Sequence, residues 1–194
     1  MTYRGVALFG DPGIGKSTIG ALLHELVPKS VQSEGADVLY RIAGLDAPPE
    51  RFDELLEALR ESNMRVKPSR VDAKRLFERV NEMYGDDAVA RVIIAEDVGE
   101  EPLIVTGPRG LANARRFQDE GYCVVYLRAV ESLAAQRLVE RDGIPLDAAI
   151  EEVQLERKLF QNDEIEIMAD VIVDLADKNS QDVAYELAPI IVNE

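Results

Sequence analysis

The sequence predicts a three-layer α/β sandwich with a mostly parallel central sheet, and three observations carry that expectation. Short, continuously apolar runs recur between longer stretches with helical spacing, the pattern of strands buried on both faces. A glycine-rich phosphate-binding motif, Gly10-Asp11-Pro12-Gly13-Ile14-Gly15-Lys16-Ser17-Thr18, stands between the first such run and the first helical stretch. The chain of 194 residues suits one domain with a substantial core, and it contains no repeat, low-complexity tract or dividing linker.

The elements follow in order. Residues 3–9 form the first strand and residues 15–27 the helix that caps the phosphate site. His24, the only histidine, falls among leucines on that helix and reads as a partly exposed structural residue. Val31 to Leu39 is ambiguous, with Gly35-Ala36-Asp37 inside it. Gly44 to Glu50 is a breaker, and apolar residues at 52, 55, 56 and 59 predict an amphipathic helix to Ser62. A loop to Pro68 follows. Ser69 and Asp72 form a capping pair for a helix bearing Arg70, Lys74, Arg75 and Arg79. Gly85-Asp86-Asp87 interrupts it before a further helix from Ala88 to Ala95.

Leu103 to Thr106 is a buried strand closed by Gly107-Pro108, Leu111 to Glu120 a helix, and Cys123 to Leu127 a strand. Glu131 to Arg141 is helical, Gly143-Ile144-Pro145 breaks it, and Asp147 to Phe160 is helical again. Val171 to Val173 is the last strand and Gln181 to Ile190 a terminal helix that contains Pro189. Ligands of such sheets bind at the carboxyl ends of the strands, so the tips after residues 9, 106 and 127 are expected to converge.

The motif explains itself chemically. Its glycines let the backbone curl so that N–H groups point at phosphate oxygens, and the helix start adds partial positive charge. Lys16 would reach the β- and γ-phosphates, and the Ser17 hydroxyl would complete the coordination of Mg²⁺. A ligand-free turn would not need three glycines so placed before Lys-Ser.

Composition narrows the partners. The net charge of −15 argues against a nucleic-acid surface, so an anionic substrate must be drawn by local clusters of arginine. No apolar run reaches membrane-spanning length, and with a strand starting almost at once no signal peptide is expected. The single cysteine, Cys123, lies in an apolar run, which suits a core residue and a reducing cytoplasm. A monomer or homodimer is expected. A GTPase would need an Asn-Lys-x-Asp element, and Lys178-Asn179-Ser180-Gln181-Asp182 fails it. A large mechanical ATPase would need more chain and an acidic pair closing its second strand.

Several stretches carry a family resemblance. Gln136-Arg137-Leu138-Val139-Glu140-Arg141-Asp142-Gly143-Ile144-Pro145-Leu146-Asp147-Ala148-Ala149 resembles the lid region of dephospho-CoA kinases. Ala169-Asp170-Val171-Ile172-Val173-Asp174 is similar to the element before their terminal helix. The run Tyr84 to Arg91, and Gly107-Pro108-Arg109, resemble related nucleotide kinases. The chain thus resembles P-loop small-molecule kinases of the nucleoside monophosphate kinase superfamily, especially dephospho-CoA kinases and related (deoxy)nucleotide kinases.

The resemblance implies an ATP- and Mg²⁺-dependent kinase with a helical acceptor-binding region over about residues 40–95 and a lid over about 131–160. It implies transfer of the γ-phosphoryl group to a small nucleotide-like acceptor, a (deoxy)nucleoside monophosphate first. Dephospho-CoA, or ATP binding without turnover in a regulatory protein, are the alternatives. Arg137 and Arg141, four apart on one helix face, would close over the triphosphate, with Arg157 and Lys158 helping. Spacing alone favours a solvated face pairing with Glu140, and the resemblance reverses that. Arg109, just past a strand end, would touch the acceptor, with Arg41, Arg70 and Arg75 looser candidates. Asp37 would accept the acceptor's proton, although the family shows two acids one residue apart there. Thr106 stands where related kinases often carry an Asp, a departure that Asp11, Glu96 or Asp97 would have to make good.

Overall fold

The structure, a computed structural model, describes residues 3–62, 66–97 and 99–191. Five strands form one all-parallel sheet in the order β2-β3-β1-β4-β5: β1 (Gly5–Gly10), β2 (Val31–Glu34), β3 (Leu103–Thr106), β4 (Cys123–Arg128) and β5 (Val171–Asp174). Between them run α1 (Lys16–Leu26), α2 (Gly35–Ala43), α3 (Phe52–Glu61), α4 (Arg70–Tyr84), α5 (Ala88–Glu96) and α6 (Leu111–Asp119). After β4 come α7 (Glu131–Asp142), α8 (Leu146–Phe160) and α9 (Asn162–Met168), and after β5 comes α10 (Ser180–Ile191), with Pro189 inside it.

Both faces of the sheet are covered. Val6 and Leu8 of β1 pack in a cluster with Ile104 of β3, Val125 and Leu127 of β4, and α1, α7 and α10. Ala7 and Phe9 point the other way, into a second cluster with Val105, Val124 and Tyr126 and with helices α2 to α6. The two-residue period of a strand thus divides one apolar run between two cores, which is why it reads as continuous in sequence. Cys123 lies in the first cluster, fully buried, and burial pushes its thiol up to about 12.

The ambiguous stretch at 31–39 resolves into the end of an edge strand and the start of α2. Val31, Gln32 and Glu34 are exposed, so β2 lacks the apolar run that marks the inner strands. The Ser69 hydroxyl accepts the Asp72 N–H at 3.2 Å, capping α4 as expected. Helix α9 was not visible in the sequence. Gln161, in the left-handed region at φ 54°, ends α8 and begins α9 without a glycine or proline to mark the break.

Gly20 brings α1 against the sheet. A Cβ at this position would sit 2.3 Å from the Thr106 methyl, so only glycine admits the observed approach. The expected sheet edge then holds. The carboxyl ends of β1, β2, β3 and β4 converge, with Glu34 and Thr106 neighbours in register.

Candidate active site

The phosphate loop runs from Gly10 to Gly15 between β1 and α1. Gly13 and Gly15 take φ of 80° and 95°, the left-handed region that its curl requires. Gly15 is the N-cap of α1, no side chain caps the helix, and its first turn has no acid. The partial positive charge of that helix end is therefore left for an anion from outside. Lys16 Nζ donates to the carbonyls of Gly10 at 2.8 Å and Asp11 at 2.6 Å. Desolvation, then the nearby Arg109 charge, lowers its pKa to about 8. Ile14 is buried, while Ser17 and Thr18 are exposed at the start of α1.

Ser17 Oγ donates to Glu34 Oε1 at 2.9 Å. Glu34 ends β2 directly beside Thr106, so a carboxylate stands next to the position where the sequence shows none. Sequence reasoning missed it because Glu34 sits on a short, exposed strand with no apolar signature. The other substitutes have partners of their own. Glu96 takes two bonds from Arg41, at 2.6 and 2.9 Å, and Asp97 bonds Arg4 and the Tyr122 hydroxyl. Asp11 is buried, and its carboxylate is taken up by Arg157 and Asn162.

Beside the loop opens a cavity of about 550 Å³. Its wall includes Glu34 and Tyr40 from the β2–α2 segment, Lys74 and Phe77 from α4, Arg109 after β3, and Glu156 and Phe160 from α8. Four cations (Lys67, Lys74, Arg109, Arg141) face three acids (Glu34, Asp142, Glu156), a local balance of +1 on a chain of net charge −15. Two of the cations, Arg109 and Lys74, are held in place from α8. Arg109 Nη1 donates to Glu156 Oε1 at 3.0 Å, and its guanidinium lies 5.0 Å from the Phe160 ring centroid. Lys74 Nζ donates to both oxygens of Glu152 at 2.8 Å and lies 4.0 Å from Glu156. Phe77 and Phe160 meet edge to face at 5.2 Å.

The loop that carries Arg109 is fixed by Asn113, which is fully buried. Its Nδ2 donates to the Arg109 carbonyl at 2.7 Å and the Asp86 carbonyl at 3.1 Å, and its Oδ1 accepts the Ala90 N–H. An asparagine inside a predicted helix carries no sign of this in sequence.

The structure brings some sequence candidates together and separates others. Arg137 Nη1 donates to the Ile14 carbonyl of the loop at 2.8 Å, and Arg141, one turn on, lies at the cavity wall and pairs with Asp142. Arg109 lines the cavity. Arg41 does not: it bonds Glu96 and the Leu59 carbonyl, an arrangement that raises its pKa and ties α2 to α3 and α5. Asp37 also lies off the wall. Gly35, Ala36, Leu39 and Tyr40 present one face of α2 to the cavity, and residues 37 and 41 follow each other along an adjacent face. The side chain of Arg70 lies outside the described residues. On α4 it is Lys74, one position before Arg75, that faces the cavity.

Among the described residues no cluster of three or more His, Cys, Asp or Glu could hold a metal by itself, and no helix is long and apolar enough to cross a membrane. Ser17 and Glu34 together offer the oxygen donors that suit Mg²⁺ shared with phosphates.

No family model matches the chain, and no curated protein matches it in sequence. Solved structures do. Shikimate kinase from Acinetobacter baumannii, in complex with shikimate, aligns with a TM-score of 0.61 and 18% identity over 98% of this chain and 93% of that one. A gluconokinase from Sinorhizobium meliloti aligns with a TM-score of 0.54 and 20% identity, again over 98% and 93%. Over essentially its whole length, the chain has the fold of the P-loop small-molecule kinases.

Proposed function

We propose that the protein is an ATP-dependent kinase that transfers the γ-phosphoryl group to a small anionic acceptor, a (deoxy)nucleoside monophosphate before others. The observation that carries this reading is the cavity of about 550 Å³ beside Lys16, with its cations at Lys74, Arg109 and Arg141. Its size is that of a small-molecule site. Aromatic walls at Phe77 and Phe160 suit a base, and the cations beside them suit a phosphate.

In this reading Lys16 leaves the loop carbonyls to bind the β- and γ-phosphates, together with the N-terminus of α1. Ser17 and Glu34 would hold Mg²⁺, which neutralises charge on the triphosphate when bound. Arg137 and Arg141 of α7 close over the triphosphate as part of a lid and stabilise charge spread over the moving phosphoryl oxygens, while helices α2 to α5 form the acceptor region. The acceptor oxygen attacks the γ-phosphorus as the bond to the β-phosphate oxygen breaks, and ADP leaves. A phosphate acceptor is already ionised near neutral pH, so this transfer asks for no strong base.

A second reading, a hydroxyl acceptor on a small sugar-like acid, is favoured by Glu34 at the cavity wall, where it could take the hydroxyl proton. The shikimate kinase and gluconokinase likenesses point the same way. A coupled assay of ADP release across nucleoside monophosphates, dephospho-CoA, shikimate and gluconate separates these readings. Tight ATP binding without acceptor-dependent ADP, unaffected by Arg137→Ala, would instead indicate a regulatory ATP-binding protein.

A further inference from the structure

Asp11 is an anomaly in an anion-binding loop. A carboxylate beside the triphosphate site would repel the ligand, and this one is 1% exposed, where an unpaired charge is costly. Its partners resolve both problems. Arg157 Nε donates to Oδ1 at 2.9 Å and to Oδ2 at 3.0 Å, and Nη2 to Oδ2 at 2.5 Å. Asn162 Nδ2, at the start of α9, adds a bond to Oδ1 at 3.1 Å. Arg157 Nη2 also reaches the Ala129 carbonyl just after β4, at 3.2 Å. The Asp11 carbonyl meanwhile accepts Lys16 Nζ, so one residue is gripped from behind and touches the phosphate-binding lysine in front.

The grip comes from the helix that also builds the acceptor cavity. Successive residues of a helix point about 100° apart, so Glu156 faces Arg109 in the cavity while Arg157 faces the loop. Helix α8 is itself fixed in both layers. Ala149 and Val153 lie in one core cluster and Phe160 in the other.

We infer that Arg157, with Asn162, is a positioning residue for the phosphate loop, holding Asp11 so that the loop is preformed for the triphosphate on the same helix that lines the acceptor cavity. The nucleotide part of this inference rests on the kinase reading; the preformed loop does not. The bidentate fork explains the use of arginine, since lysine offers a single point charge.

The test uses the full chain with Asp11→Asn, Arg157→Gln, the double variant and Arg157→Lys, with Asn162→Ala as the milder change should any of these fail to fold. Hydrogen exchange of segment 10–18 in the nucleotide-free protein should quicken about tenfold in Asp11→Asn and Arg157→Gln and less in Asn162→Ala, with β3 and α10 unchanged. MgATP affinity by calorimetry should fall about tenfold in each single variant and no further in the double, because both act through one contact. Arg157→Lys should fall between. Unchanged exchange in the loop, or losses that add in the double variant, overturn the inference. A wild-type protein without MgATP affinity would defeat the kinase reading, and the exchange experiment would still decide on the clamp.

Discussion

The Ser17 hydroxyl donates to Glu34 Oε1 at 2.9 Å, joining the first turn of α1 to the carboxyl end of β2. Glu34→Gln keeps the size and a hydrogen-bonding carbonyl but removes the charge. Turnover should fall about 100-fold. A Mg²⁺ titration then tells the two roles apart. If Glu34 serves the metal, the midpoint moves to higher Mg²⁺ and excess metal restores part of the rate; if it takes an acceptor proton, excess metal restores nothing.

Lys16 gives nucleotide binding a pH dependence. With desolvation lowering its pKa to about 8, the free protein loses the ammonium as pH rises through that value. Triphosphate favours the charged form, so binding above pH 8 takes up a proton. Affinity for MgATP should be flat below about pH 7 and fall by about tenfold per unit above about pH 8. Calorimetry at pH 8.5 in buffers of different ionisation enthalpy should register the uptake, and Lys16→Met should abolish both binding and uptake.

Arg109 lines the cavity, 3.0 Å from Glu156 and beside the Phe160 ring, and in the proposed reading it binds the acceptor. Arg109→Ala should raise the acceptor KM about 10- to 100-fold, the scale of a lost charge-assisted hydrogen bond, with the KM for ATP little changed. Equal effects on both would place Arg109 outside the acceptor site. Glu156→Gln should give a smaller change of the same kind.

Gly20→Ala should destabilise the fold by about 1–3 kcal/mol, because the added methyl meets the Thr106 methyl at 2.3 Å. Thr106→Ser removes that methyl and should recover most of the loss in the double variant. Denaturant unfolding of the four proteins measures this directly.

What the sequence disclosed and what it withheld follow from the range of the forces involved. The phosphate loop and the inner strands are local signals, a fixed glycine spacing and unbroken apolar runs, and both appear where expected. The cavity is made by side chains far apart in sequence, and its membership turns on helical phase. Lys74 rather than Arg75 lines it, and on α2 the wall is formed by Ala36, Leu39 and Tyr40 while Asp37 and Arg41 fall to the side. Glu34 carries no mark in the sequence because an exposed edge strand has no hydrophobic pattern, and nothing local sets it beside Thr106. Only strand register, which pairs residues 34 and 106, brings it back.

The buried Cys123 has a practical consequence. Only a thiolate reacts readily with alkylating reagents, and this thiol is both fully enclosed and held protonated well past neutral pH. As the chain's single cysteine, it can be labelled only when the β4 core opens, so its rate of modification is a clock for whole-molecule unfolding. That clock needs no engineered probe. Any ligand that stabilises the native protein should slow it, which makes thiol labelling a direct screen for the acceptor.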